Sequence, residues 1–117
     1  MSDTADAAAQ VGCGRAGALV ERVATEAAIP ARTVAHARSL IAHATGCWPA
    51  PEAVQPGYWP TLCLTWPALE IDIHDDRFEL YRFEPGATQI REWRCGPDAP
   101  AADTLDALLH AAFGETA

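Results

Sequence analysis

The chain has 117 residues, half of them apolar, and a formal charge of −8. That length holds one hydrophobic core and leaves no room for a second. An acidic chain repels phosphate, so the basic footprint of a nucleic-acid binder is missing, and no apolar run approaches the roughly 20 residues of a membrane helix.

The opening, MSDTADAAAQ, is acidic and alanine-rich. It lacks the basic and apolar regions of a signal peptide, so a cytoplasmic protein is expected, with a loose tail over residues 1–14 and one domain over 15–117. Gly12-Cys13-Gly14-Arg15-Ala16-Gly17 has the letters of a GxGxxG loop. In a dinucleotide fold that loop follows a strand, with an acid about 20 residues further on. Here it follows AAAQV, and no acid occurs from Ala27 to Pro51. The glycines are therefore read as loosening the approach to the first helix.

That helix is expected from about Ala16 to Ala28, with Leu19, Val20, Val23 and Ala27 on one face. Pro30 breaks it, because a ring nitrogen cannot donate to the preceding turn. A second helix follows over about Ala31 to Thr45, its apolar face Val34, Ala37, Leu40, Ile41 and Ala44, with Gly46 as a left-handed stop. Arg32, His36, Ser39 and His43 fall on one polar stripe, read as a solvated face. His36 and His43 are about 10 Å apart along the axis, too far to share a metal ion by themselves.

Residues 47–60, CWPAPEAVQPGYWP, hold four prolines and read as a stiff, extended connector. Among the aromatic residues there, Trp66 on the following strand is assigned to the core. Trp48 and Trp59 are open between core and contact surface.

From Leu62 to Phe83 the chain reads TLCLTW, LEIDIH and RFELYRF, with apolar residues at every second position. Residues i, i+2 and i+4 of a strand share a face. Leu62, Leu64, Trp66, Leu69, Ile71, Ile73, Phe78 and Leu80 therefore point one way, and Cys63 between the leucines is read as packing. Glu70, Asp72, Glu79, Tyr81 and Phe83 point the other way. A two-residue loop at Asp75-Asp76 sets Ile73 against Phe78, Ile71 against Leu80 and Asp72 against Glu79, so the apolar pairs agree in face. Glu84-Pro85-Gly86-Ala87 is a second turn, leading to a fourth strand over about Thr88 to Arg94. Ile90 and Trp93 cannot share a face of that strand without a bulge. A last helix spans about Ala101 to Phe113, carrying Leu105, Leu108, Leu109 and Ala112, with Asp98 or Asp103 as cap and Gly114 as stop.

Helices and strands are thus segregated. The fold class is α+β: an antiparallel meander of about four strands, with two N-terminal helices and one C-terminal helix packed on one face.

Charge is unevenly placed. Residues 1–51 balance four acids with four arginines, while residues 52–117 carry twelve acids against Arg77, Arg82, Arg91 and Arg94. Asp72 facing Glu79 sets like charges opposite each other, with Arg82 and Arg91 as candidate shields. An acidic face with Tyr81 and Phe83 beside it suits a basic partner. Cys13, Cys47, Cys63 and Cys95 form no CxxC pair and read as reduced thiols. No GxSxG occurs, and Ser2 and Ser39 are the only serines. Cys47 or Cys95 could meet a histidine, but no local pattern joins them. A zinc site would need distant ligands such as Cys95 or His110.

The stretch from Trp48 to Phe83 (WPAPEAVQP, LCLTW, LEIDIHDDRFELYRF) resembles small bacterial proteins with a Pro-x-Pro connector and an acidic β-hairpin. That resemblance implies a similar sheet and carries no catalytic residue across. In size and charge the chain is also similar to phage-encoded inhibitors of host defence systems.

The reading that follows is a non-catalytic protein-binding module. Its contact residues are Glu70, Asp72, Glu79, Tyr81, Phe83 and Trp59, and its partner is a basic protein surface or a second copy of the chain. No catalytic residue, cofactor or metal ligand is assigned, and neither nucleic acid nor membrane is expected as a direct partner. One alternative is an inhibitor that presents carboxylates where a nucleic-acid-handling protein expects phosphates. Another is a small metal-dependent enzyme using His36, His43, Cys47 or the carboxylate trio.

Overall fold

The computed structural model describes residues 3–44, 48–57, 61–95 and 99–114, with side chains from Gly14 onward. Two helices come first, α1 (Asp3–Glu26) and α2 (Ala31–Ala44). Five strands follow, β1 (Ala53–Pro56), β2 (Leu62–Trp66), β3 (Leu69–Ile73), β4 (Arg77–Glu84) and β5 (Ala87–Arg94). A final helix, α3 (Ala102–Phe113), closes the chain. The strands form one antiparallel sheet in the order β1-β2-β3-β4-β5. This is the expected α+β meander with one more strand. Among the described residues no helix is long and apolar enough to cross a membrane.

Two boundaries differ from expectation. α1 starts at Asp3, well before the expected Ala16, so residues 3–14 are helical. Alanine has the highest helix propensity, and a run of it extends a helix without an apolar face. The GxGxxG letters consequently lie inside a helix with no strand before them. The proline-rich connector also contains a strand, β1, paired from Ala53↔Thr65 to Pro56↔Leu62. Proline is tolerated there because β1 is an edge strand, bonded on one side only.

α1 closes through Ala28, which adopts a positive φ of 53°, while the Ile29 N–H donates to the Ala24 carbonyl at 3.1 Å. This is the left-handed closure more often given to glycine. The apolar face of α2 is buried as expected, at Val34, Ala37, Leu40, Ile41 and Ala44, and Thr33 and His36 are buried beside it. His36 therefore does not lie on a solvated stripe. It occupies the core, 1% exposed, with its ring 6.0 Å from that of Phe78. α3 begins at an N-cap Ala101 that makes no side-chain cap bond, and Asp103 sits in its first turn. Gly114 ends it in a right-handed conformation, not a left-handed one. Asp98 and Gly46, the other expected cap and stop, lie outside the described residues.

The helices cover one face of the sheet. Leu62, Leu64, Ile71, Ile73 and Phe78 are all 0% exposed on that inner face, against Val20, Leu40 and Leu108 from the three helices. Each such side chain contributes about 1.5–3 kcal/mol on burial. Trp48 and Trp66 lie 5.2 Å apart and both meet Phe113, closing the core at one end. Trp48 is thus a core residue, 4% exposed.

The β3–β4 hairpin has the expected two-residue loop: Ile73 pairs with Phe78, Ile71 with Leu80 and Asp72 with Glu79. At the β4–β5 turn, Gly86 takes φ +80°, as a type II turn with Pro85 first requires. β5 then pairs with β4 over all eight residues without a bulge. Ile90 and Trp93 are therefore on opposite faces, Ile90 outward and 60% exposed.

Candidate functional site

The outer face of the sheet collects the polar side chains by alternation. Strand register lines up Gln55, Cys63, Asp72, Glu79 and Glu92 in one row across all five strands. The neighbouring row is Ala53, Thr65, Glu70, Tyr81 and Ile90. Cross-strand neighbours stand about 4.7–4.9 Å apart, so three carboxylates are crowded side by side in the first row.

They divide into two patches. On the β4–β5 side, Glu79 accepts hydrogen bonds from Tyr81 Oη at 2.9 Å and Arg77 Nε at 3.2 Å, and pairs with His74 Nε2 at 2.9 Å. Arg77 also reaches Asp76 at 2.8 Å and Glu92 at 3.7 Å, and Arg94 bridges Asp76 and Glu92. Burial alone would raise Glu79, but the bonds from Tyr81, His74 and Arg77 outweigh it and hold its carboxyl below the ordinary range. Burial and the Glu79 hydrogen bond push the Tyr81 phenol up to about 12.

On the β2–β3 side, Cys63 Sγ lies 2.8 Å from Asp72 Oδ1 and 3.3 Å from Glu70 Oε2. Among the described residues no arginine or histidine pairs with either carboxylate. Burial, with a hydrogen bond to Glu70 and the charges of Glu70 and Glu79, pushes Asp72 up to about 7; the Cys63 bond opposes this. Burial and the same carboxylates push the Cys63 thiol far up, so it stays protonated. Cys63 therefore does not pack inward between the leucines: it faces outward and donates to this pair.

Arg82 and Arg91 do not shield the acids. They pair with Leu69 and Leu80, which places them on the inner face. Arg82 Nη2 donates to the carbonyls of Ala111 at 2.6 Å and Ala112 at 3.3 Å, at the negative end of α3. Arg91 lies 4.9 Å over the Trp93 ring. The shielding arginines are Arg77 and Arg94, on the acids' own face.

Tyr81 and Phe83 stack on the outer face, centroids 6.5 Å apart and planes 14° from parallel. Phe83, 45% exposed, also lines a cleft of about 580 Å³ with Pro49, Glu52, Trp66, Glu84 and Phe113. Glu52 and Glu84 bring two negative charges to this cleft, and Arg82, held on the α3 carbonyls, brings one positive charge. Neither glutamate has an ion-pair partner among the described residues. Trp59, expected at the contact surface, lies outside the described residues, as does Cys47.

The enzymatic candidates separate differently. His43 Nε2 pairs with Asp106 at 2.6 Å, tying α2 to α3. The fold brings Cys95 Sγ to 3.7 Å from His36 Nδ1, but that nitrogen is also 3.2 Å from the His74 carbonyl oxygen. A carbonyl only accepts, so Nδ1 carries the proton and cannot serve as a base for the thiol. Burial, with Asp76 and Asp75 nearby, raises Cys95 further from the thiolate. Among the described residues the group able to offer a metal three ligand atoms is Cys63, Glu70 and Asp72, all within 4.8 Å of one another.

No family model, curated protein or solved structure matches the chain.

Proposed function

We propose that the chain is a non-catalytic module that docks a basic protein segment onto the outer sheet face. The observation that carries this reading is the Glu70–Asp72 pair, which faces outward with no ion-pairing cation among the described residues. Such a pair is costly when both members are ionised, and an arginine or lysine from a partner removes that cost. Tyr81 and Phe83 give the flat aromatic contact area that protein interfaces favour. The cleft beside Phe83 is walled by Pro49, Trp66 and Phe113 and carries Glu52 and Glu84 against the single Arg82, a net negative charge that suits the apolar stem and charged head of one basic side chain. A cytoplasmic setting agrees with free thiols at Cys63 and Cys95.

The test is capture from the source cells with the tagged full chain, followed by affinity measurement on the captured protein. Glu70→Gln with Asp72→Asn is expected to weaken binding by on the order of tenfold or more, since each charge-assisted bond contributes about 1.5–3 kcal/mol. Binding is also expected to fade steeply with salt. A partner held equally well by the double variant contradicts the proposal. Competition with DNA for that partner would narrow it to an inhibitor that imitates phosphate.

Cys63, Glu70 and Asp72 together support a second reading, a divalent-ion site with Cys63 as the soft ligand. Zinc titration of the purified chain decides it: no stabilisation by zinc, or equal stabilisation of Cys63→Ser, ends that reading.

A further inference from the structure

The two edges of the sheet are not alike. β1 is four residues long and ends in Pro56, a short edge of the kind that resists further pairing. β5 is eight residues long, unbroken by proline or bulge, and exposed at every position but Trp93. Its outward backbone groups can be assigned. The Phe83 N–H donates to Ala68 and the Cys95 N–H to Asp76. In β4, therefore, Phe83, Tyr81 and Glu79 turn their backbone toward β3, and Arg82, Leu80 and Phe78 toward β5. Their partners Gln89, Arg91 and Trp93 turn inward to meet them. By alternation, Thr88, Ile90, Glu92 and Arg94 point their N–H and C=O groups off the edge of the sheet.

We propose that β5 is the seam of a homodimer, in which two copies pair antiparallel about a twofold axis at Ile90. The strand's own sequence selects that register. Outward backbone groups must meet outward groups, and cross-strand neighbours must share a face. Centring on Arg91 sets that arginine against its copy, and centring on Glu92 does the same with two carboxylates. Like charges so placed repel. Centres nearer either end of β5 pair only five residues or fewer. Centring on Ile90 pairs residues 87–93 in full: Ile90 with Ile90, Thr88 with Glu92, Gln89 with Arg91 and Ala87 with Trp93. No like charges oppose, the Thr88 hydroxyl can donate to the Glu92 carboxylate, and the exposed Ile90 is covered by its own copy. A twofold seam of this kind is isologous, and it joins two five-stranded sheets into one with no exposed β5 edge. Both outer faces then look the same way, which gives a partner two docking faces.

Sedimentation equilibrium of the full chain from micromolar to millimolar concentration is expected to return twice the chain mass. Thr88→Glu places carboxylate against carboxylate at two symmetric positions and should weaken the dimer on the order of tenfold. Adding Glu92→Lys restores opposite charges at those positions and should recover the affinity, a rescue that other registers do not give. Ile90→Pro removes an N–H that the fold does not use and should leave a monomer with the wild-type circular dichroism. If that variant misfolds, the charge-swap pair still decides. A monomer at every concentration overturns the proposal, as does a dimer indifferent to Thr88→Glu or one that Glu92→Lys does not rescue.

Discussion

Asp72 and Glu79 are directly opposed across β3 and β4, yet they belong to two different electrostatic regions. Glu79 is ringed by His74, Arg77 and Tyr81, and its carboxyl is held ionised. Asp72 has Cys63 and Glu70 instead, one a thiol and one a second acid, and is pushed up to about 7. Two carboxylates in one cross-strand pair thus have opposite needs. One is supplied with cations by its own sheet, and the other lacks them. Net charge does not distinguish them; position on the pleat does, because Arg77 and His74 flank β4's start and reach Glu79 but leave Glu70 and Asp72 alone.

Both regions stand on the same inner face, so the largest effect comes from removing that support. Phe78→Ala empties a site that is 0% exposed beneath Glu79. A loss of about 3–5 kcal/mol is expected in denaturant unfolding, which would disrupt both patches together.

The next substitutions separate the patches. In the folded chain Asp72 keeps its proton up to about 7, whereas unfolded it ionises near 3.8. Folding therefore takes up a proton in that window, and this residue's contribution to stability falls as pH rises through it. Cys63 on β2, Glu70 on β3 and Glu79 on β4 are the groups that face it. Asp72→Asn should raise stability at pH 8 by about 1–2 kcal/mol, below the full linkage value because the carboxylate keeps contact with water. The gain should shrink as pH falls to 5 and vanish only below about 3.8, where both states carry the proton. Glu79→Gln should have the opposite sign, losing about 1 kcal/mol at neutral pH. Its carboxyl is lowered, so that contribution is present above the ordinary carboxylate range and disappears as pH falls through the folded value. The smallest effect, about 0.5–1 kcal/mol, is expected for Tyr81→Phe, which deletes one donor to Glu79. Urea titrations of the three variants from pH 8 down to pH 3 check all of these.

The sheet's central register was legible because three strands alternate cleanly and a two-residue loop leaves only one face-consistent pairing. The first strand was not, because Pro49, Pro51 and Pro56 read as a connector, and only the edge position makes proline acceptable there. The early start of α1 was hidden for a related reason: an alanine run has propensity without periodicity. His36 was misplaced because a histidine on a helix stripe gives no sign of burial. The outer-face residues were legible by alternation, including Tyr81 beside Phe83. Their sorting into satisfied and unsatisfied acids was not, since it depends on which arginine lands on which face. Arg82 and Arg91 sit at inner-face positions of β4 and β5, a parity that the strand pattern already contained. The cleft joins Pro49, Glu84 and Phe113, residues far apart in the chain, and no local pattern points to it.

The most direct measurement is carboxyl-carbon NMR of the full chain across pH. Asp72 should titrate near 7 and Glu79 below the ordinary range, with Asp72 dropping when a basic partner is bound. An Asp72 carboxyl that ionises near 4, alongside its neighbour, would contradict the division of this face into two regions.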